Sequence, residues 1–492
     1  MGNFIRLSVL ALILQGCTYG YVHDASNGSA ISAATVRVVK GSCSGAGCGS
    51  PNTEQTSTSG LYVFDAYGDV NGAANVKLIY PASGEEAIEL LISKPGFRSR
   101  TLFHRPKYEQ VESGDKTYYI AQAPKVFLCS WSSVDSDGDS ICDAAEARYG
   151  TNPYSSDTDG DRISDAAELF GINGVDLRYF GENAANPRRK DVFMEIDYYP
   201  GLKPDQAAID TVIEAFANAP VSNHDGSMGI SLNVDLNQQI SASDADSDLN
   251  PVWTDFDLIK NKYFSSRRNA LFHYALFANQ FNSGGWSGIS RGIPGHDFIV
   301  SLGTWSTPGG TLLQQTGTLM HEFGHNLGLM HGGNQNRNYK PNYLSVMSYS
   351  YQMRGLRIGG VDGNIDYSRL KIASVNESNL NEFTAFSPIA PTTSTQLSQY
   401  GVRDRTSWLN GNANTNLDFD KDGTLEASVS ADLDGNGSSS DIFSASQNDW
   451  DNLVFHGGGT IGDSMLGATA GLKFLSRKVD AHDMEQCMTE FD

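Results

Sequence analysis

His321-Glu322-Phe323-Gly324-His325-Asn326-Leu327-Gly328-Leu329-Met330-His331 is the stretch from which the rest of this chain can be read. Imidazoles four positions apart share one face of a helix, about one turn from each other, so His321 and His325 can grip a single tetrahedral zinc ion. Glu322, beside the first ligand, can reach a water on that metal. Gly328 has no Cβ and can turn left-handed, which ends the helix and returns the chain so that His331 becomes the third ligand. Three neutral nitrogens leave a fourth corner open, the arrangement of a catalytic zinc as opposed to a structural one. With 10 His and 51 Gly in 492 residues, the full pattern arises by chance in on the order of 1 in 100,000 such chains.

This longer pattern resembles the metzincin superfamily of zinc metallopeptidases, whose second signature is a methionine turn under the metal. Ser345-Val346-Met347-Ser348-Tyr349 resembles that turn, with Met347 as the hydrophobic floor. In astacin-like and serralysin-like branches a tyrosine two residues further on binds the metal or steadies the oxyanion. The resemblance places that role on Tyr349, against the alternative of an ordinary packed tyrosine. It also implies an α+β catalytic domain with a twisted mixed sheet, and Glu322 as general base in the hydrolysis of protein or peptide substrates. The residue after the third histidine, a branch marker in the superfamily, is Gly332 here, which leaves the branch open.

Outward from this core, the length suggests about three domains, and 39% hydrophobic residues suffice for packed cores. A net charge of −22 argues against nucleic acid or an anionic membrane surface as an electrostatic partner. Residues 1–17 read as an export signal: Arg6, an apolar run from Leu7 to Leu14 too short to span a bilayer, then Leu14-Gln15-Gly16-Cys17. Those four residues resemble a bacterial lipobox. The resemblance implies acylation of Cys17 and anchoring at the outer membrane or cell surface; an ordinary secretory signal is the alternative, and either way the protein is exported. In an oxidising compartment, Cys43 with Cys48 and Cys129 with Cys142 are plausible disulfides and Cys487 is left over, although spacing alone leaves other pairings open.

Residues 18–124 have an all-β texture. Short runs at 35–39, 61–64, 75–80 and 87–92 are separated by Gly, Ser, Asn and Pro. With Gly20-Tyr21-Val22, Ala34-Thr35-Val36, Gly60-Leu61-Tyr62-Val63-Phe64 and Lys94-Pro95-Gly96-Phe97, this part resembles the carboxypeptidase regulatory-like, transthyretin-like β-sandwich, which implies a spacer or docking role.

Residues 125–185 read as a calcium-binding linker built on two copies of one pattern. Asp135, Asp137, Asp139, Ile141, Asp143 and Glu146 recur as Asp157, Asp159, Asp161, Ile163, Asp165 and Glu168. Carboxylates at loop positions 1, 3 and 5, a carbonyl at 7 and a glutamate at 12 surround a hard cation with oxygen. The glycine expected at position 6 is replaced by Ser140 and Arg162, with Gly138 and Gly160 at position 4 instead. The repeats resemble bacterial thrombospondin type 3-like calcium segments, including the link Gly150-Thr151-Asn152-Pro153, so two or more structural calcium ions are expected beside one zinc.

Residues 186–492 read as the catalytic region. Strands are expected at 190–198, 229–236 and 297–302, helices at 205–217 and 316–327, and a further aromatic-faced helix at 268–281 carrying a structural His273. In the Asp-rich segment near 418–441, Asp418, Asp420, Asp422 and Gly423 begin a calcium-like loop, but Val429 stands where its closing glutamate belongs. Asp432, Asp434 and Asn436, with Gly437 and Asp441, begin another. Each is either a metal loop or a cluster of Asx turns. The chain thus reads as an exported multidomain zinc endopeptidase. The competing reading is a catalytically silent surface binding or adhesion lipoprotein on the same scaffold.

Overall fold

The computed structural model describes residues 17–455 except 45–52, 66–77, 114–115, 182–183, 270 and 391–392. The signal residues before Cys17, the expected partner Cys48 and the odd Cys487 lie outside that range. The chain divides into two compact units, one running to Asp191 and the other starting at Val192.

The first unit is mostly β. Its strands are β1 (Cys17–Asp24), β2 (Thr35–Lys40), β3 (Ser42–Ser44), β4 (Thr53–Gln55), β5 (Leu61–Asp65), β6 (Leu78–Tyr80), β7 (Ile88–Ser93), β8 (Arg100–His104), β9 (Glu109–Ser113), β10 (Lys116–Gln122) and β11 (Val126–Leu128). One sheet has the order β11-β1-β10-β9 with β5 also paired to β1, a second has the order β4-β2-β7-β8, and β3 pairs with β6. Alternation along β7 buries Ile88, Leu90 and Ile92 while their neighbours stay half-buried, the pattern of a strand with one face on a core. Val22, Val36, Tyr62, Leu102, Val126 and Leu128 complete that core.

Two short helices follow, α1 (Asp143–Tyr149) and α2 (Asp165–Phe170). Sequence reading makes this stretch a linker, yet Ile141, Cys142, Ala145 and Phe170 belong to the same apolar cluster as the sandwich strands. The Tyr149 ring meets Phe127 edge-on at 5.3 Å and Phe170 at 5.9 Å, and its hydroxyl accepts the Phe127 N–H at 2.9 Å. The expected disulfide Cys129–Cys142 is present and ties the last strand to the first repeat.

In the second unit, β12 (Asp191–Tyr198), α3 (Gln206–Ala217), β13 (Ser231–Gln239), α4 (Val252–Tyr263), β14 (Phe272–Phe277), β15 (Gly288–Ser290), β16 (Asp297–Val300) and α5 (Leu312–Asn326) come in that order. The sheet runs β13-β12-β14-β16-β15. β12, β14 and β16 are mutually parallel, and β15 is an antiparallel edge strand. The helix expected over 268–281 is a correction: 272–277 is the central strand β14. All six of its residues are buried, so it has no alternation, and a short apolar run covered on both faces cannot be told from a buried helix by periodicity. α4 and β15 are elements that sequence reading did not anticipate.

Beyond α5 come β17 (Leu356–Ile358), β18 (Val361–Asn364), β19 (Val375–Asn376), the one-turn helix α6 (Ser394–Leu397), β20 (Asn410–Asn412), β21 (Thr415–Asp418) and β22 (Ile442–Phe443). They form two-stranded pairs only, held by a further apolar cluster that includes Leu344, Tyr351, Ile372, Leu380, Leu417, Phe419 and Leu433. Among the described residues the protein is multidomain and mainly β, with six α-helices and several sheets.

Candidate metal centres

α5 begins at Leu312, four residues before the expected start, because Thr311 and Gln314 form a reciprocal capping box. Leu319, Phe323 and Leu327 are buried as the helical spacing requires, with Phe323 5.4 Å from Phe216 of α3. The helix ends at a Schellman turn. Gly328 has φ +90°, its N–H reaches the His325 carbonyl at 3.0 Å, and the Leu329 N–H reaches Gly324 at 2.9 Å. The chain therefore doubles back, and the ligand nitrogens of His321, His325 and His331 lie within 4.8 Å of one another.

Second contacts fix the rings. His321 Nδ1 donates to the Val346 carbonyl at 2.8 Å and His325 Nδ1 to the Leu329 carbonyl at 2.7 Å. Only a protonated Nδ1 can meet a carbonyl, so both Nε2 atoms carry a lone pair. His321 Nε2 is buried with no hydrogen-bond partner, and His325 Nε2 lies 3.1 Å from His331 Nε2. Burial, reinforced by neighbouring imidazoles, holds His325 down to about 3 and His321 well below its usual value. Neutral, convergent, buried nitrogens are the donor set that zinc takes.

Met347 lies under the helix: a Cβ on Gly324 would come within 2.3 Å of its sulfur, so glycine is what lets the turn approach. The Tyr349 ring is 4.4 Å from His331 and 5.8 Å from His321. Glu322 is fully buried and packs against β15, where a Cβ on Gly288 would meet its Oε1 at 2.7 Å. Sequence reading misses Asp449. Its buried carboxylate accepts from Tyr343 and Ser345 hydroxyls at 2.8 and 2.7 Å and from the Ser368 N–H at 2.9 Å, pinning the start of the methionine turn. Burial pushes it up to about 6 against the pull of those donors.

The two acidic repeats of the first unit are built alike. Asp135 accepts the Gly138 N–H at 2.9 Å and Asp157 the Gly160 N–H at 2.7 Å. Asp139 and Asp161 accept from Ile141 and Ile163 at 2.7 and 2.8 Å. Ser140 and Arg162, at the position that wants glycine, take φ +77° and +76°, so the turn is kept despite the side chain. Asp143 and Asp165 have both oxygens engaged, by the N–H and hydroxyl of Ser136 and of Thr158; they clamp the loops. Other oxygens are buried without partners among the described residues: Asp137 Oδ2, Asp139 Oδ2 and Glu146 Oε2 in the first loop, Asp159 Oδ2 and both oxygens of Glu168 in the second.

Residues 135–155 match the bacterial TSP3 repeat family. That match covers the first acidic repeat and its link, and calcium is the cation such repeats take; the second acidic repeat lies beyond the match and is held by like hydrogen bonds. No curated protein matches the chain. Among solved structures, 3-chlorocatechol 1,2-dioxygenase from Rhodococcus opacus 1CP is similar at 12% identity and TM-score 0.17, over 23% of this chain and 59% of that one. Hydroxyquinol 1,2-dioxygenase from Pseudomonas putida DLL-E4 is similar at 15% identity and TM-score 0.17, over 23% and 56%. The chain thus spans under two thirds of either enzyme, and a likeness of that size carries nothing over to it.

Orphaned buried carboxylate oxygens in the TSP3 repeats fit calcium, which takes six to eight oxygen ligands. Burial, then repulsion from neighbouring carboxylates, pushes Glu146 up to about 8. The second repeat has a ligand candidate absent from the sequence pattern: Asp161, Glu168 and Asp191 present oxygens within 4.8 Å of one another, and the Asp191 N–H donates to Asp161 Oδ2 at 2.7 Å.

The C-terminal acidic loops differ from each other. Asp432 accepts from Asn436 and Gly437 N–H groups at 3.1 and 2.8 Å, Asn436 donates to Asp441 at 2.6 Å, and Arg337 sits on Asp434 and Asp441 at 2.8 and 3.3 Å. The buried Glu377 carboxylate accepts the Leu433 N–H at 2.7 Å, and Glu377, Asp432 and Asp434 are close enough to share an ion. In the other loop Asp418 accepts the Gly423 N–H at 3.2 Å, Asp420 that of Asp422 at 3.2 Å, and Asp422 that of Thr424 at 2.7 Å.

Proposed function

We propose that this protein is an exported zinc-dependent endopeptidase of the metzincin type, with a calcium-rigidified β-sandwich unit ahead of the catalytic one. The observation that carries the reading is the convergence of three buried imidazoles, two of them neutral and locked by Nδ1 bonds to the Val346 and Leu329 carbonyls, with Glu322 next to His321 on the helix. His321, His325 and His331 would hold the ion. Zinc, when bound, supplies a Lewis acid and brings a water's pKa to about 7.

The chain's own residues supply the rest. The Glu322 carboxylate takes the proton of the attacking water and returns it to the leaving amine. The Tyr349 phenol, beside His331, donates to the oxyanion. β15, an edge strand that passes Glu322 at Gly288, suits an extended peptide lying alongside it, which favours internal bonds of a protein substrate. The Cys129–Cys142 bridge supports export to an oxidising compartment. No helix among the described residues is long and apolar enough to cross a membrane; the anchor in this reading is a lipid on Cys17.

Glu322→Ala tests the mechanism on a proteome-derived peptide library. We expect zinc content to stay at one per chain and cleavage to fall by about 1,000-fold or more, given what a general base and its charge contribute. Cleavage at the wild-type rate in the variant, or none in the zinc-loaded wild type, would overturn the reading and leave a binding scaffold.

A further inference from the structure

The loop 418–426 and the segment 377–382 are far apart in sequence, yet they form one site. We propose that this loop binds a calcium ion and that Glu382 is its closing ligand, standing in for the glutamate that the loop itself lacks. Asp418, Asp420 and Asp422 occupy positions 1, 3 and 5 of the calcium recipe, Gly423 position 6 with φ +87°, Thr424 the carbonyl position 7 and Glu426 position 9. Position 12 is Val429, and the backbone shows why that is tolerated. Val429 and Leu380 exchange both N–H to carbonyl bonds at 2.9 Å, which carries Glu382, two residues on, to the loop. The buried Glu382 accepts the Phe419 N–H at 2.6 Å on Oε1 and the Glu426 N–H at 3.0 Å on Oε2. Each of those oxygens keeps a second lone pair.

Turn geometry alone would make this a cluster of Asx turns. Two things do not fit that description. Asp418 is only 5% exposed, its Oδ2 is turned across the loop to Gly423, and its Oδ1 is buried with no partner among the described residues. Leaving a buried carboxylate oxygen unmatched costs several kcal/mol unless a cation meets it. The protein supplies no such cation: among the described residues no ion pair reaches Asp418, Asp420 or Asp422, and Lys421 turns instead to Asp404. The neighbouring loop shows the contrast, since Arg337 already lies on Asp434 and Asp441.

The test is calcium stoichiometry of the full chain by equilibrium dialysis, comparing wild type with Asp420→Asn, Glu382→Gln and, as a control on the TSP3 repeats, Asp159→Asn. Asp420 is exposed, so its variant keeps the fold. We expect Asp420→Asn and Glu382→Gln each to lose one ion, or weaken one class of sites at least ten-fold, and a double variant to lose no more. Asp159→Asn should lose a different ion additively. In the wild type, calcium should also slow exchange of the Phe419 and Glu426 amides by ten-fold or more. An unchanged count in Asp420→Asn overturns the site. A lost ion there with none lost in folded Glu382→Gln overturns the closing role; if Glu382→Gln does not fold, unchanged exchange at those two amides in the wild type does so.

Discussion

The histidine centre and the TSP3 repeats are both candidate metal sites, and they are built on opposite principles. At α5 the His321 and His325 rings are neutral, each with its outer nitrogen bonded to a backbone carbonyl, and the surroundings are a packed apolar core. In the repeats the donors are crowded carboxylates, partly or fully buried, with oxygens that nothing among the described residues satisfies. The first arrangement stands without its metal. The second is a set of repelling charges until a cation enters, so there the ion's contribution is to the fold itself.

The sharpest way to break that contrast is to remove each ion selectively and follow amide exchange. At free calcium 1,000 times its Kd, each filled loop is held by about 4 kcal/mol. Without calcium, residues 135–168 should exchange as open chain, while α5 stripped of zinc keeps slow exchange; equal loss in both would erase the distinction. A second variant sharpens it within the first unit. Asp176 is also a buried carboxylate, but its oxygens are taken by Arg178 at 2.7 Å, the Arg105 N–H at 2.9 Å and His104 at 3.3 Å. Although burial pushes its carboxyl up, Arg178 and His104 hold it well below the usual range. Asp176→Asn should cost about 2 kcal/mol at neutral pH, because it leaves the half-buried Arg178 guanidinium without its carboxylate. The sign follows from linkage: a depressed folded pKa stabilises above the unfolded value of about 4 and is lost as pH falls through the folded one. The variant and wild type should therefore converge in acid, with no dependence on calcium; a denaturation series over pH decides it.

Smaller effects separate the two centres by their glycines. Gly324→Ala drives a Cβ into Met347 and should cost about 2 kcal/mol by overpacking, with weaker zinc retention. Gly138→Ala meets nothing within 4 Å, and its penalty is only that of φ +81°, about 1 kcal/mol. Thermal melts with both metals present measure the pair.

The histidine helix and acidic repeats are legible in sequence because their donors lie within one turn of helix or one loop, where spacing is geometry. What escapes is contributed from a distance. Asp191, Glu382 and Asp449 are single acidic residues in unremarkable contexts, and only tertiary contacts bring them to Asp161, the 418–426 loop and the methionine turn. β14 is missed for another reason: burial on both faces removes the alternation that identifies a strand. Val429, which looks like a defect in a calcium loop, makes sense once its backbone pairing with Leu380 is seen.

The apolar cluster that joins Ile141, Cys142, Ala145 and Phe170 to the sandwich strands also fixes where this chain tolerates being cut. A fragment ending near residue 124 would lose a wall of its own interior and the whole Cys129–Cys142 cross-link, whereas one ending at Asp191 keeps both. For domain transplantation or recombination, the N-terminal unit is a single indivisible cassette, and its seam lies some way past the last sandwich strand.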